Sequence, residues 1–293
     1  MMTKRFHGVT SLVRVAVIGI YYFSGTGNTA WVARQLAARL IDLGDEVTLT
    51  SCEHASALDV DPAAYDVVGV AFPVHASFAP LVFRDFLDRL PPGEGKPLFA
   101  LTTAGYAAGD TAWYAAQPLQ AKGYDPFLLA NVKMGNNLHL PLLSPLPVTP
   151  PEKMEPLLYR ARAKIAQLAN LIQQREPYEE GVGLTGRALG IVQRGLVERF
   201  EDLAFKGFWA DETCTRCGWC VRHCPVHAIE MTETEVAFGD KCIICMRCYN
   251  FCPVQAIQLT EATRDAEKYR RYSGPEGKPY PADSVGPPIF RVG

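Results

Sequence analysis

The sequence predicts an open, doubly wound parallel α/β sheet of five strands, then a helical linker and a small α+β domain built around cysteines. Three observations carry that expectation. Strand-like apolar runs alternate with helix-like runs through the first 175 residues. Eight of the nine cysteines crowd between residues 214 and 252. One amphipathic stretch, residues 184–207, joins the two regions.

The elements follow in order. Val13–Tyr22 is rich in β-branched residues and reads as a buried strand. Asn28–Leu43 carries Trp31, Val32, Leu36 and Leu40 at helical spacing and stops at Gly44. Glu46–Thr50 and Asp66–Phe72 are the second and third strands. Ala79–Leu90 is a helix ended by Pro91 and Pro92, and Pro97–Thr103 is the fourth strand. Asp110–Lys122 is a helix with Asp110 placed to cap it. Pro126–Val132 is the fifth strand and Pro151–Arg175 a long helix. Residues 134–151 are proline-rich and long for a plain connection, which predicts a loop that covers a site. Met134, Asn136, Asn137 and His139 are expected to position it.

The domains expected are a tail over residues 1–12, the sheet domain over 13–175, a helical linker over 176–207, the cysteine domain over 208–262 and a polar tail over 263–293. Within 184–207, Leu189, Val192, Leu196, Phe200 and Leu203 form an apolar stripe, expected to pack between domains. The final tail is expected to wrap the surface or stay disordered.

An apolar content of 48% and a net charge of −2 over 293 residues fit a globular chain and exclude a nucleic-acid binder with a basic face. No run is long enough to cross a bilayer as a helix. Hydrolase signatures are absent: there is no G-x-S-x-G and no H-E-x-x-H.

The cysteines define the first chemistry. Cys214, Cys217, Cys220 and Cys224-Pro225 follow the spacing C-x2-C-x2-C-x3-C-P, and Cys242, Cys245, Cys248 and Cys252-Pro253 repeat it. Two such runs are the signature of two [4Fe–4S] clusters, in which the fourth cysteine of each run ligates the other cluster. The expected sets are Cys214, Cys217, Cys220 with Cys252, and Cys242, Cys245, Cys248 with Cys224. The halves match beyond the ligands, since Pro225-Val-His-Ala-Ile229 echoes Pro253-Val-Gln-Ala-Ile257. Ala228, Ile229, Ala256 and Ile257 are expected to bury against the clusters. Zinc also takes C-x2-C pairs, but four cysteines per run and the duplication favour iron–sulfur. His223 and His227 are expected in loops or at the surface, not as ligands. Thiolate ligation points to a reducing, cytoplasmic setting. Cys52 stands apart as a plain thiol.

The second chemistry lies after the first strand, in Ser24-Gly25-Thr26-Gly27-Asn28-Thr29. Backbone N–H groups at a helix start bind anions, and here Ser24, Thr26, Asn28 and Thr29 add side-chain donors. A P-loop needs a terminal Gly-Lys-Ser/Thr, which is missing. Gly25-x-Gly27-x-x-Ala30 matches a dinucleotide fingerprint loosely. A hydroxyl-rich loop suits a phosphomonoester better, and a capped helix without a ligand is the plain alternative.

With its S-x-T-G-N-T pattern after the first strand of a five-unit α/β chain, the loop resembles the phosphate-binding loop of flavodoxins. The two halves together resemble the bacterial flavodoxin–ferredoxin fusion proteins over roughly residues 13–262. The resemblance implies FMN, with its ring held by the loops after the third and fourth strands. Pro73, Val74 and His75 fall in the first of these, and Thr103, Ala104, Gly105, Tyr106 and Gly109 in the second. His75 and Tyr106 are the residues that would stand near the reactive ring.

Clusters move one electron at a time and FMN one or two, so the expected function is electron transfer between two [4Fe–4S] clusters and FMN. A redox partner protein or low-potential donor is implied. Two alternatives stay open: an FMN-dependent reductase of a small-molecule acceptor fed by its own clusters, and a redox subunit of a larger assembly.

Overall fold

The computed structural model describes residues 15–53, 61–139, 146–204 and 207–280, without the side chains of 196–204. The expectations for residues 1–12 and the end of the last tail lie outside these residues.

The main sheet has strands β1 (Val17–Tyr22), β2 (Glu46–Ser51), β3 (Val67–Pro73), β4 (Pro97–Ala104), β5 (Asp125–Lys133) and β6 (Tyr178–Glu179). Their order is β2-β1-β3-β4-β5-β6, and every pair is parallel. The leading 2-1-3-4-5 order is the flavodoxin type, with a switch point between β1 and β3. Helices α1 (Asn28–Asp42), α2 (Leu81–Arg89), α3 (Thr111–Ala121) and α4 (Met154–Gln174) make the crossovers.

The sixth strand corrects the reading of residues 176–183 as linker. Two residues carry no readable period. Tyr178 and Glu179 pair with Leu128 and Leu129, and the Glu180 N–H donates to the Leu129 carbonyl at 2.9 Å. Glu180 also accepts from the Asn131 N–H at 2.8 Å and is paired with Lys164 of α4. The strand is thus set by tertiary partners rather than by its own sequence.

Two cores line the sheet. One packs α1 and α4 on Ile18, Ile20, Val132 and Leu128; the other packs α2 and α3 on Phe72, Val70, Leu98 and Leu129. The cysteine region enters both. Phe251, Tyr272 and Tyr280 complete the first core, and Ile243 joins the second. Residues 263–280 therefore do not behave as a loose tail: Tyr269, Tyr272 and Tyr280 are all buried. Their polar neighbours hid this in the sequence, because three aromatic anchors spread along a loop leave no periodic signal.

Over its described side chains, helix α5 (Leu184–Ala204) makes its contact through residues outside the expected apolar stripe. Leu189 and Val192 are exposed, and Leu184 is 89% exposed. Leu196, Phe200 and Leu203 lie among the undescribed side chains. The contact runs instead through Gly186, Gly190, Gln193 and Arg194. A Cβ at Gly190 would collide with the Asp110 carboxylate, so only glycine admits this approach. Arg194 holds Asp110 in a two-pronged pair at 2.6 and 2.9 Å and donates to the Ser77 carbonyl. Asp110 consequently makes no side-chain cap on α3, contrary to its place in the sequence. A buried guanidinium outcompetes one backbone N–H for a carboxylate.

The cysteine region adds β7 (Trp209–Ala210), α6 (Trp219–Arg222), β8 (Ile229–Met231), β9 (Val236–Phe238), α7 (Arg247–Phe251) and β10 (Ile257–Gln258). They form two small antiparallel pairs, β7 with β10 and β8 with β9.

Candidate metal and cofactor centre

Each cysteine run coils through left-handed turns at non-glycine residues. Arg216 (φ 55°) and His227 (φ 49°) in the first run correspond to Ile244 (φ 50°) and Gln255 (φ 55°) in the second. Gly218 (φ 73°) corresponds to Met246 (φ 63°). Such conformations persist when the surroundings over-determine them. The internal duplication is thus written in the backbone as well as the sequence.

The coils place the thiols in two rings. Cys214, Cys217, Cys220 and Cys252 line one cavity, while Cys224, Cys242, Cys245 and Cys248 line the other. The fourth cysteine of each run stands with the other run's three. Among the described residues, no group of three or more His, Cys, Asp or Glu closes on a single metal ion. Four cysteines lining one cavity are the donor set that a four-iron cluster takes. Two backbone N–H groups reinforce this donor set: Ala228 donates to Cys224 Sγ and Ala256 to Cys252 Sγ, both at 3.3 Å. Hydrogen bonds to sulfur and exclusion of water tune cluster potentials. Ala228, Ile229, Ala256 and Ile257 are buried as the duplication predicts. Burial pushes the Cys220 thiol up to about 11 and the Cys245 thiol up to about 12.

The rings differ in access. Cys217 is exposed, with Met231 and Val254 exposed beside it. The second ring faces the sheet. Ile243, Val226 and Cys245 pack with the core around Phe23 and Cys52, at the C-terminal ends of β1 and β2. Between the rings, Trp219 stacks on His223 with centroids 4.3 Å apart. His223 is therefore buried, not a surface residue.

The Ser24–Thr29 loop leaves β1 and enters α1 with Gly27 at φ 99°. Every residue from Ser24 to Ala30 is buried. Gly27 N–H donates to Ser24 Oγ at 3.1 Å, while the Trp31 N–H takes the Gly27 carbonyl at 2.9 Å. No partner among the described residues takes the N–H groups of Thr26, Asn28, Thr29 or Ala30. A buried helix start with open donors is what an anion satisfies. Ser24 Oγ and Thr26 Oγ1 each accept one bond, Thr26 from Asn137 Nδ2 at 2.6 Å, and each keeps its own proton to donate. Thr29 pairs with Thr103 at 2.8 Å. Asn28 is committed elsewhere: its amide donates to the Gly135 carbonyl and accepts from Tyr272. The residues present fit a phosphate group, with Asn28 as an anchor of the loop rather than a donor to it.

The ring loops meet at the same end of the sheet. Val74 N–H donates to the Thr103 carbonyl at 2.9 Å, which ties Pro73–His75 to β4. His75 is half-buried and makes a short bridge with Phe78. Burial and the Arg84 guanidinium bring its imidazole down to about 4, so it is neutral at physiological pH. Tyr106 is exposed, and its hydroxyl donates to the Pro147 carbonyl of the covering loop at 3.2 Å. Asn136 Nδ2 donates to the carbonyls of Leu138, Leu146 and Pro147 and so shapes that loop. Ala104, Gly105 and Gly109 are half-buried, and Gly105 lies against Asn136.

Comparison with known families decides the cysteine region. Residues 208–230 and 238–258 match the 4Fe-4S binding domain. Each cysteine run thus lies in a segment that matches a 4Fe-4S binding domain. Among solved structures, the chain is similar to the flavodoxin of Megasphaera elsdenii, with 26% identity over 39% of this chain and 84% of that one at a TM-score of 0.35. It is also similar to flavodoxin 2 from Bacillus cereus, with 19% identity over 55% of this chain and 99% of that one at a TM-score of 0.40. No curated protein matches the chain in sequence. The flavodoxin type of the sheet rests on its strand order.

Sequence reading missed the joint between these parts. Arg247, inside the second cysteine run, is 1% exposed. It donates to the carbonyls of Ser24 and Gly25 and pairs with Glu53. A Cβ at Gly25 would run into the Cys245 carbonyl. Gly25→Ala is accordingly expected to push the cysteine coil off the loop and cost about 1–3 kcal/mol, as overpacking does. Denaturant unfolding checks this, and an unchanged midpoint would show that the joint is slack.

Proposed function

We propose that the chain is an electron-transfer iron–sulfur flavoprotein that carries two [4Fe–4S] clusters and one FMN and moves electrons between them. The clusters supply single-electron steps and FMN joins these to two-electron chemistry. One observation carries the reading: the backbone of the second cysteine ring lies directly on the loop that would hold the FMN phosphate, with the Cys245 carbonyl against Gly25.

The residues divide the work. Cys214, Cys217, Cys220 and Cys252 would hold the outer cluster, where exposed Cys217 opens a side to a redox partner. Cys224, Cys242, Cys245 and Cys248 would hold the inner one. The open N–H groups of Thr26, Asn28, Thr29 and Ala30, with the Ser24 and Thr26 hydroxyls, would bind the phosphate. Pro73–His75 and Thr103–Gly109 would flank the ring, with neutral His75 and Tyr106 as its nearest polar side chains. The domains proposed are the sheet domain, which takes in β6, and the ferredoxin domain over 208–262, joined by α5.

Anaerobic purification followed by iron, sulfide and flavin analysis tests this. About eight irons and one FMN per chain are expected from two four-iron runs and one phosphate loop. Four irons, or no flavin, would overturn it.

A further inference from the structure

Arg247 occupies a step of the second run where the two runs differ in chemistry. The first run has Trp219 there, which packs against the first core. Arg247 instead commits all five of its N–H donors, four of them across the joint and one within the cysteine region. Nε reaches the Gly25 carbonyl at 3.0 Å and Nη2 the Ser24 carbonyl at 2.7 Å. Nη1 reaches the His223 carbonyl at 2.9 Å, and both Nη atoms grip Glu53 at 2.7 and 2.8 Å.

Two consecutive carbonyls of the Ser24–Thr29 loop are therefore turned toward the ferredoxin domain. A trans peptide is planar, with its C=O and N–H pointing opposite ways. Fixing the Ser24 carbonyl on Arg247 turns the Gly25 N–H away from it. Fixing the Gly25 carbonyl does the same for the Thr26 N–H, one of those without a partner. The charge of Arg247 is balanced by Glu53, so it orients the loop rather than drawing in an anion itself.

Resting on the reading of this loop as the FMN phosphate site, we propose that Arg247 of the ferredoxin domain is a positioning residue for phosphate recognition in the sheet domain. The phosphate cradle is then complete only when the second cysteine run is folded against it. A point charge such as lysine cannot replace the fork that spans two carbonyls.

The test uses the full chain with its clusters loaded and its flavin removed, titrated with FMN and with riboflavin, which differ by the phosphate. The native chain is expected to bind FMN far more tightly. Arg247→Lys with unchanged iron content is expected to lose about tenfold or more in FMN affinity, the weight of one hydrogen bond to a charged group, and to keep its riboflavin affinity within about twofold. Glu53→Gln lies outside the cysteine run and frees the guanidinium; it is expected to lower the FMN-to-riboflavin ratio in the same direction. If both variants keep the native ratio, or lose both ligands equally, the positioning role is wrong. A native chain that binds FMN and riboflavin alike, or neither, overturns the phosphate site and the proposal with it.

Discussion

Replacing Cys252 with serine is expected to strip the cluster of the first cysteine run, although Cys252 stands in the second. The structure puts Cys252 in the ring of Cys214, Cys217 and Cys220. Cys224→Ser is expected to strip the inner ring instead, where Cys224 joins Cys242, Cys245 and Cys248. Each variant should fall from about eight irons to about four, with the remaining cubane intact by electron paramagnetic resonance. The two losses should differ in their reach. The inner ring carries Cys245 and Arg247, which touch Gly25 and Ser24, so Cys224→Ser should also release FMN. Cys252→Ser should leave FMN in place. Left-handed turns at Arg216, Ile244 and Met246 give the unligated coils little reason to hold their shape, which adds to both effects. A Cys252→Ser protein with a full complement of iron would refute the crossover.

Asp110→Ala is expected to cost about 3–5 kcal/mol, because it leaves the Arg194 guanidinium buried without its carboxylate. Arg194 sits over the Tyr114 ring and donates to Ser77, so the loss also loosens the loop beside His75. Removing both partners, as Asp110→Leu with Arg194→Met, should restore most of the stability, since apolar replacement of a buried pair is often neutral. An exposed pair sets the contrast. Arg39 and Asp42 lie 3.9 Å apart in solvent, and Asp42→Ala should cost less than about 1 kcal/mol. Denaturant midpoints measure all three. An Asp110→Ala protein as stable as the native chain would show that α5 contributes nothing to the sheet domain.

Much of this was legible in the chain. The alternation of elements announced the parallel sheet, because the central strands β1, β3 and β4 are buried on both faces and helices alternate with them along the chain. The cysteine spacing announced two runs, because a cubane fixes the distance between its ligands. What stayed hidden was whatever depends on a distant partner. Strand β6 is two residues held by Leu129 and Lys164. Asp110 reads as a cap and serves as an ion-pair partner. Arg247 carries no sequence signal of its role, and only folding shows it buried against Ser24 and Gly25. Over the described part of α5, Leu189 and Val192 stand exposed because Gly186 and Gly190 allow a closer contact on another face.

Tyr272 and Tyr280 finish the core that α1 begins, and Tyr272 bonds Asn28 at the loop itself. During synthesis the chain emerges from its N-terminus first, at about 5–20 residues per second. The first strand and its loop must therefore wait for residues made more than two hundred positions later before their core can close. On the function proposed above, cofactor capture would then follow synthesis of the aromatic anchors at 272 and 280, and a ribosome that stalls before them would leave a chain unable to sequester flavin.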